Sequence, residues 1–98
     1  MTQEQEDAAK WSAIEQYKAL RGRRAVLAVQ SRNWGLAIVK IGEKLIANGE
    51  SIIHLDLSEF PERSAMLDAQ RELSNLFPLL KSLKEDLAAM GIDATALR

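Results

Sequence analysis

The chain has 98 residues, no cysteine, one histidine, five aromatic residues and a formal net charge of −1. Ala, Leu, Glu, Lys and Arg fill 50 of the 98 positions, a composition that selects long helices over sheets. The lack of cysteine excludes disulfides and thiolate metal sites, and the length suits one thin-cored domain over 1–98.

No stretch approaches the roughly 18 apolar residues of a membrane span. The start, MTQEQEDAAKW, lacks the basic and apolar run of a signal peptide. A cytoplasmic location without membrane contact is therefore expected. The charge is uneven along the chain. Residues 1–16 carry −3 and residues 43–98 carry −4, whereas residues 17–42 carry +6 and no acid at all. Such a stretch either steers an acidic partner or is a solvated helix face.

A first helix is expected over about 4–30. Its second half holds Lys18, Arg21, Arg23 and Arg24 around Gly22, with Arg32 just beyond. Those five side chains are the candidates for phosphate contacts, each of which would release counterions and add affinity. Tyr17 and Trp34 fit core positions as well as they fit stacking platforms. Gly22 is one possible break. QSRNWG is the better one, because Ser31 and Asn33 both cap helices and shape turns. A tight turn is expected at 31–33.

With Asn33 as cap, a second helix runs over 34–48. Trp34, Ile38, Ile41 and Leu45 form its inner stripe, and Gly49 sits just past its end. Leu36, Val39 and Ile46 project 100–180° away from that stripe, so this helix is apolar on too much of its circumference for a simple bundle. The surplus has to be covered by the rest of the chain, by a second copy or by a partner protein. Leu36, Val39 and Ile46, rimmed by Arg32 and Lys40, are the candidate partner-binding residues. The glycines at 35, 42 and 49 recur every seven residues and suit close helix approach rather than a phosphate loop.

The stretch QSRNWGLAIVKIGEKL resembles the turn and second helix of FliT-type flagellar export chaperones. In those small cytoplasmic helical proteins an acidic or amide residue before a Trp opens the helix. The likeness takes in about a fifth of this chain, together with a plan of three helices of which the last is long and amphipathic. Pro78 and the linker depart from that pattern. The resemblance implies a non-enzymatic chaperone.

In the linker, Ile53, Leu55 and Leu57 alternate with His54, Asp56 and Ser58. That is strand periodicity, but a lone strand has no obvious partner, so a packed extended linker is expected and a short strand at 52–57 is the alternative. His54, Asp56 and Glu59 make a weak metal string, since a strand would put Glu59 on the opposite face. The last helix is expected over 59–90. Met66, Ala69, Leu73, Leu76, Leu80, Leu83, Leu87 and Met90 alternate spacings of three and four, the seam of a coiled coil. Ser58 or Pro61 opens it, Pro78 bends it, and Gly91 stops it with Ile92 folded back on Leu87. A tail follows at 92–98.

Together these readings give an all-α fold: a three-helix bundle with a long amphipathic C-terminal helix, expected to form a homodimer, with α+β as the alternative. With one His, no Cys and no dense titratable cluster, no catalytic residue, cofactor or metal site is assigned. The expected function is a protein–protein interaction module (adaptor, chaperone or inhibitor) that grips another protein through aliphatic helix faces. The alternative is a small nucleic-acid-binding accessory protein that uses the basic 18–32 segment.

Overall fold

The computed structural model describes residues 2–98. The protein is all-α, and among the described residues there is no strand. Helix α1 spans Gln3–Ala47 and helix α2 spans Arg63–Ala89, with short 3₁₀ segments at Gly49–His54, Leu57–Glu59 and Ala94–Ala96. The two long helices pack antiparallel. Trp34 and Ile38 meet Met66 and Leu73 at one end, and Ala13 meets Leu83 and Met90 at the other.

The turn expected at 31–33 does not form, and the helices expected over 4–30 and 34–48 are one helix. Two features account for this. Ser31, placed to cap a new helix, instead donates its hydroxyl to the Leu27 carbonyl one turn back at 2.8 Å, the bond by which Ser is accommodated inside a helix. The inner stripe also never loses register: Ala13, Tyr17, Leu20, Arg24, Leu27, Ser31, Trp34, Ile38, Ile41 and Leu45 alternate spacings of four and three. Two polar members, Arg24 and Ser31, hide that continuity in the sequence.

The stripe of α2 is in place as expected. Ala69, Leu76, Leu80 and Leu87 are buried against Tyr17 and Leu27, and Leu87 has no exposed surface. Pro78 lies within α2, whose helix continues on both sides of it. Gly91 adopts φ 80°, and the Ile92 amide donates to the Leu87 carbonyl at 2.9 Å, completing the expected Schellman stop. The start differs. Helix α2 begins at Arg63, not near 59, because Phe60 is held extended before Pro61 (φ −71°, ψ 131°). Ser58 does not cap it; Asp56 caps the short Leu57–Glu59 turn instead.

Nor do residues 52–57 form a strand. The Asn48 side chain accepts from the Glu50 amide and opens a 3₁₀ segment over Gly49–His54. That segment satisfies its backbone locally, which a lone strand cannot do. It packs beside the last turns of α1, where Ser51 donates to the Lys44 carbonyl at 3.1 Å. Ile41 is buried on this stretch, apart from the main core. The tail carries a final 3₁₀ turn that buries Ala94 against the hairpin.

The outcome is extended rather than a compact bundle. The molecule measures 71 × 23 × 16 Å, and its long dimension is that of α1 itself at about 1.5 Å per residue. Its radius of gyration is 20.5 Å, against about 13 Å for a compact chain of this length.

Continuity of α1 through Asn33 has a measurable consequence. Asn33 is exposed in a helix interior, where Ala is the better residue by roughly 0.5 kcal/mol. Asn33→Ala should therefore stabilise the protein by that amount in urea unfolding. A helix cap at Asn33 would instead make the same change cost about 1 kcal/mol.

A candidate protein-binding face on helix α1

A helix paired on one side has a far side, and on α1 that side is aliphatic. Leu36 lies two residues, about 200° of arc, from both Trp34 and Ile38 of the seam. Leu36, Val39 and Ile46 are 58%, 55% and 88% exposed. The structure thus brings all three together on the outer face, clear of α2. Arg32 and Lys40 are exposed beside them, Arg32 within the row and Lys40 at its edge.

The row extends beyond these three residues. Val29, Arg32, Leu36, Val39, Glu43 and Ile46 recur at spacings of three, four, three, four and three, a second heptad stripe back to back with the first. Val29 is 60% exposed. A break at 31–33 would reset the register and split this stripe, which is why Glu43 escaped notice. Counting heptads through Ser31 would have found it. Along one edge of the row stand Gly35 and Gly42, and a β-carbon built on either meets nothing within 4 Å. That edge is open to a close neighbour.

The basic segment has a different fate: its five named side chains do not converge. The Arg23 guanidinium grips the Glu72 carboxylate at 2.6 and 3.1 Å, and the hydrogen bonds from this pairing, with the carboxylate's charge, hold its pKa above the ordinary arginine value. Arg21 donates to the Leu97 carbonyl at 2.7 Å and lies 5.6 Å over the Tyr17 ring, tying the tail to α1. Arg24 is half-buried, Lys18 is half-buried a turn and a half earlier, and Arg32 is on the outer face. Only Arg21 and Arg24 share a site. With Tyr17, Lys81 and Lys84 they line an open cleft of about 510 Å³ that holds no carboxylate.

The linker string does not gather either. Asp56 turns onto its own chain and accepts the Ser58 amide at 3.0 Å. The side-chain and backbone hydrogen bonds from Ser58 lower its pKa. Among the described residues no three His, Asp or Glu side chains converge as metal ligands, and no helix is long and apolar enough to cross a membrane.

The chain matches no protein-family model, no curated protein and no solved structure. The turn by which residues 30–45 resemble export chaperones is absent here because those residues are helical throughout, and the first two helices of the three-helix plan are one.

The tail contact responds to acid in a defined direction. Asp93 accepts from the Thr95 hydroxyl at 2.7 Å and its amide at 3.0 Å, and these bonds, the hydroxyl's first, lower its pKa. A carboxyl whose folded value lies below its unfolded one contributes stability above the unfolded value, near 4, and loses it as pH falls through the folded value. Protection of the Ala96 and Leu97 amides relative to their intrinsic exchange rates should therefore fall below about pH 4. Asp93→Ala should show the lower protection already at neutral pH.

Proposed function

We propose that this protein is a non-enzymatic protein–protein interaction module, a helical hairpin that holds another protein's helix along the outer face of α1. The observation that carries this reading is the exposure of Leu36, Val39 and Ile46 in one row on a helix whose opposite side is already packed. Large exposed aliphatic side chains in one helical row, interspersed with Arg32 and Glu43, support the reading of a helix-docking surface. Solvent gains nothing from them, and the fold does not use them.

The reading is tested by placing a photo-reactive amino acid at Leu36, at Val39 or, as a control, at exposed Glu85 of α2, in cells that make the protein. Discrete protein adducts from the first two positions and none from Glu85 are expected, and their absence overturns the reading. Leu36→Glu combined with Val39→Glu should abolish adducts from a photo-reactive group at Ile46 and leave helicity by circular dichroism unchanged. Loss of helicity would show that these residues belong to the core.

One observation favours a second reading, that of a nucleic-acid-binding accessory protein. In that cleft Arg21 and Arg24 are joined by Lys81 and Lys84, four cations suited to phosphates, with Asp93 close enough to Lys84 to feel its charge. Against it, Arg23 is engaged by Glu72 and Arg32 faces elsewhere. Oligonucleotide affinity that falls steeply with salt and is lost in Arg24→Glu with Lys84→Glu would carry this reading. Salt-insensitive or absent binding would dispose of it.

A further inference from the structure

We infer that the occupant of the α1 outer face is a second copy of this chain, paired antiparallel about a two-fold axis that passes between residues 37 and 38. The inference rests on the protein-binding reading above and names its partner. In this register Leu36 of one copy packs on Val39 of the other, Val29 packs on Ile46, and Arg32 meets Glu43. Each contact occurs twice by symmetry, as an isologous interface requires.

The charges select this arrangement. Arg32 and Glu43 are the two ionic members of an otherwise aliphatic row. Eleven residues separate them on one helix, about 16 Å, so they cannot pair within a chain. Among the described residues neither takes part in a salt bridge. Parallel in-register pairing would set Arg32 against Arg32 and Glu43 against Glu43. Sliding the antiparallel pair by one heptad would set Arg32 against Leu36 or move it off the helix end. Only the axis between 37 and 38 matches charge to opposite charge and aliphatic to aliphatic along the whole row. Arg–Glu pairs at such positions fix the register of paired helices.

The flanking positions agree with this register. In an antiparallel pair centred at 37 and 38, Gly35 of one copy lies beside Gly42 of the other. Neither carries a β-carbon, and one built there meets nothing within 4 Å; Gly35 also borders the cleft toward Met66 and Gln70 of α2, so this is the edge of the row nearer the hairpin seam. On the other edge Lys40 faces Asn33, with no like charge opposed. The chain exposes 7432 Å², whereas a compact monomer of 10.9 kDa exposes about 5,600 Å². That surplus is the surface of the 71 × 23 × 16 Å shape.

The purified full chain, run on size-exclusion chromatography with light scattering, should have twice the 10.9 kDa monomer mass. Arg32→Glu alone, or Glu43→Arg alone, should weaken the dimer about tenfold or more by opposing like charges at two sites. The double reversal Arg32→Glu with Glu43→Arg should restore it, a rescue that misfolded singles could not give. The chain has no cysteine, so register can be read directly. A mixture of Leu36→Cys and Val39→Cys chains should give mainly the mixed disulfide, and homodisulfides in its place would overturn the register. A wild-type chain that stays monomeric while Leu36 and Val39 form adducts with other proteins would overturn self-pairing and leave the protein-binding reading standing. Monomers without adducts would remove both.

Discussion

Everything in this molecule hangs on one seam, the antiparallel packing of the α2 leucines on the inner stripe of α1. Leu76, Leu80 and Leu87 close over Tyr17 and Leu27, and a fully buried Leu such as Leu87 contributes about 2 kcal/mol by leaving water. Two helices meeting along a line bury one stripe each and no more. Whatever else the sequence places on either helix must face solvent or another molecule. The seam therefore defines the outer face of α1 by exclusion.

The mismatch in length between the partners determines the rest of the shape. Helix α1 has 45 residues and α2 has 27, so α1 overhangs. Past Trp34 and Ile38 its inner stripe outlasts α2, and the linker takes over, with Ile41 buried on that stretch. At the other end the tail turns back under Asp93 and is held by Arg21 at the Leu97 carbonyl. Both irregular segments are thus accessories to the long helix. Their turns are closed by Asx caps at Asn48, Asp56 and Asp93, which satisfy amides locally and ask nothing of the core. The Arg23–Glu72 pair at the surface adds register more than strength, as exposed pairs do.

How much of this was legible in the sequence differs from element to element. The α2 stripe was plain because eight apolar residues hold the heptad without a polar interruption, and Gly91 with Ile92 spells its stop. The continuity of α1 was obscured because Arg24 and Ser31 occupy seam positions, and because Ser31 and Asn33 are residue types that end helices as readily as they tolerate one. Side-chain chemistry alone cannot say which role Ser31 plays; the carbonyl of Leu27 decides it. The alternation at 52–57 misled for a different reason. Period two records which side chains point the same way, but a strand also needs a neighbour for its backbone, and this chain has none to offer. That Leu36, Val39 and Ile46 stand off the inner stripe was readable from circumference alone, whereas their exposure depended on how the chain packs and the place of Glu43 among them required the unbroken helix.

The two stripes of α1 make opposite demands on an amino-acid sequence. The inner one tolerates Arg24 and Ser31 because the hairpin is held by many leucines and a polar member at its margin reaches water. The outer one is sparse, with aliphatic residues at Val29, Leu36, Val39 and Ile46 separated by one cation and one anion, and these aliphatic residues are exposed. A solvated helix face gains nothing from periodic aliphatic residues and would be better served by charge throughout. A face that must hide inside the fold gains nothing from Arg32 and Glu43 in its middle. In the antiparallel pairing proposed above, all six residues would lie against a second helix that presents the same pattern reversed, aliphatic on aliphatic and Arg32 on Glu43.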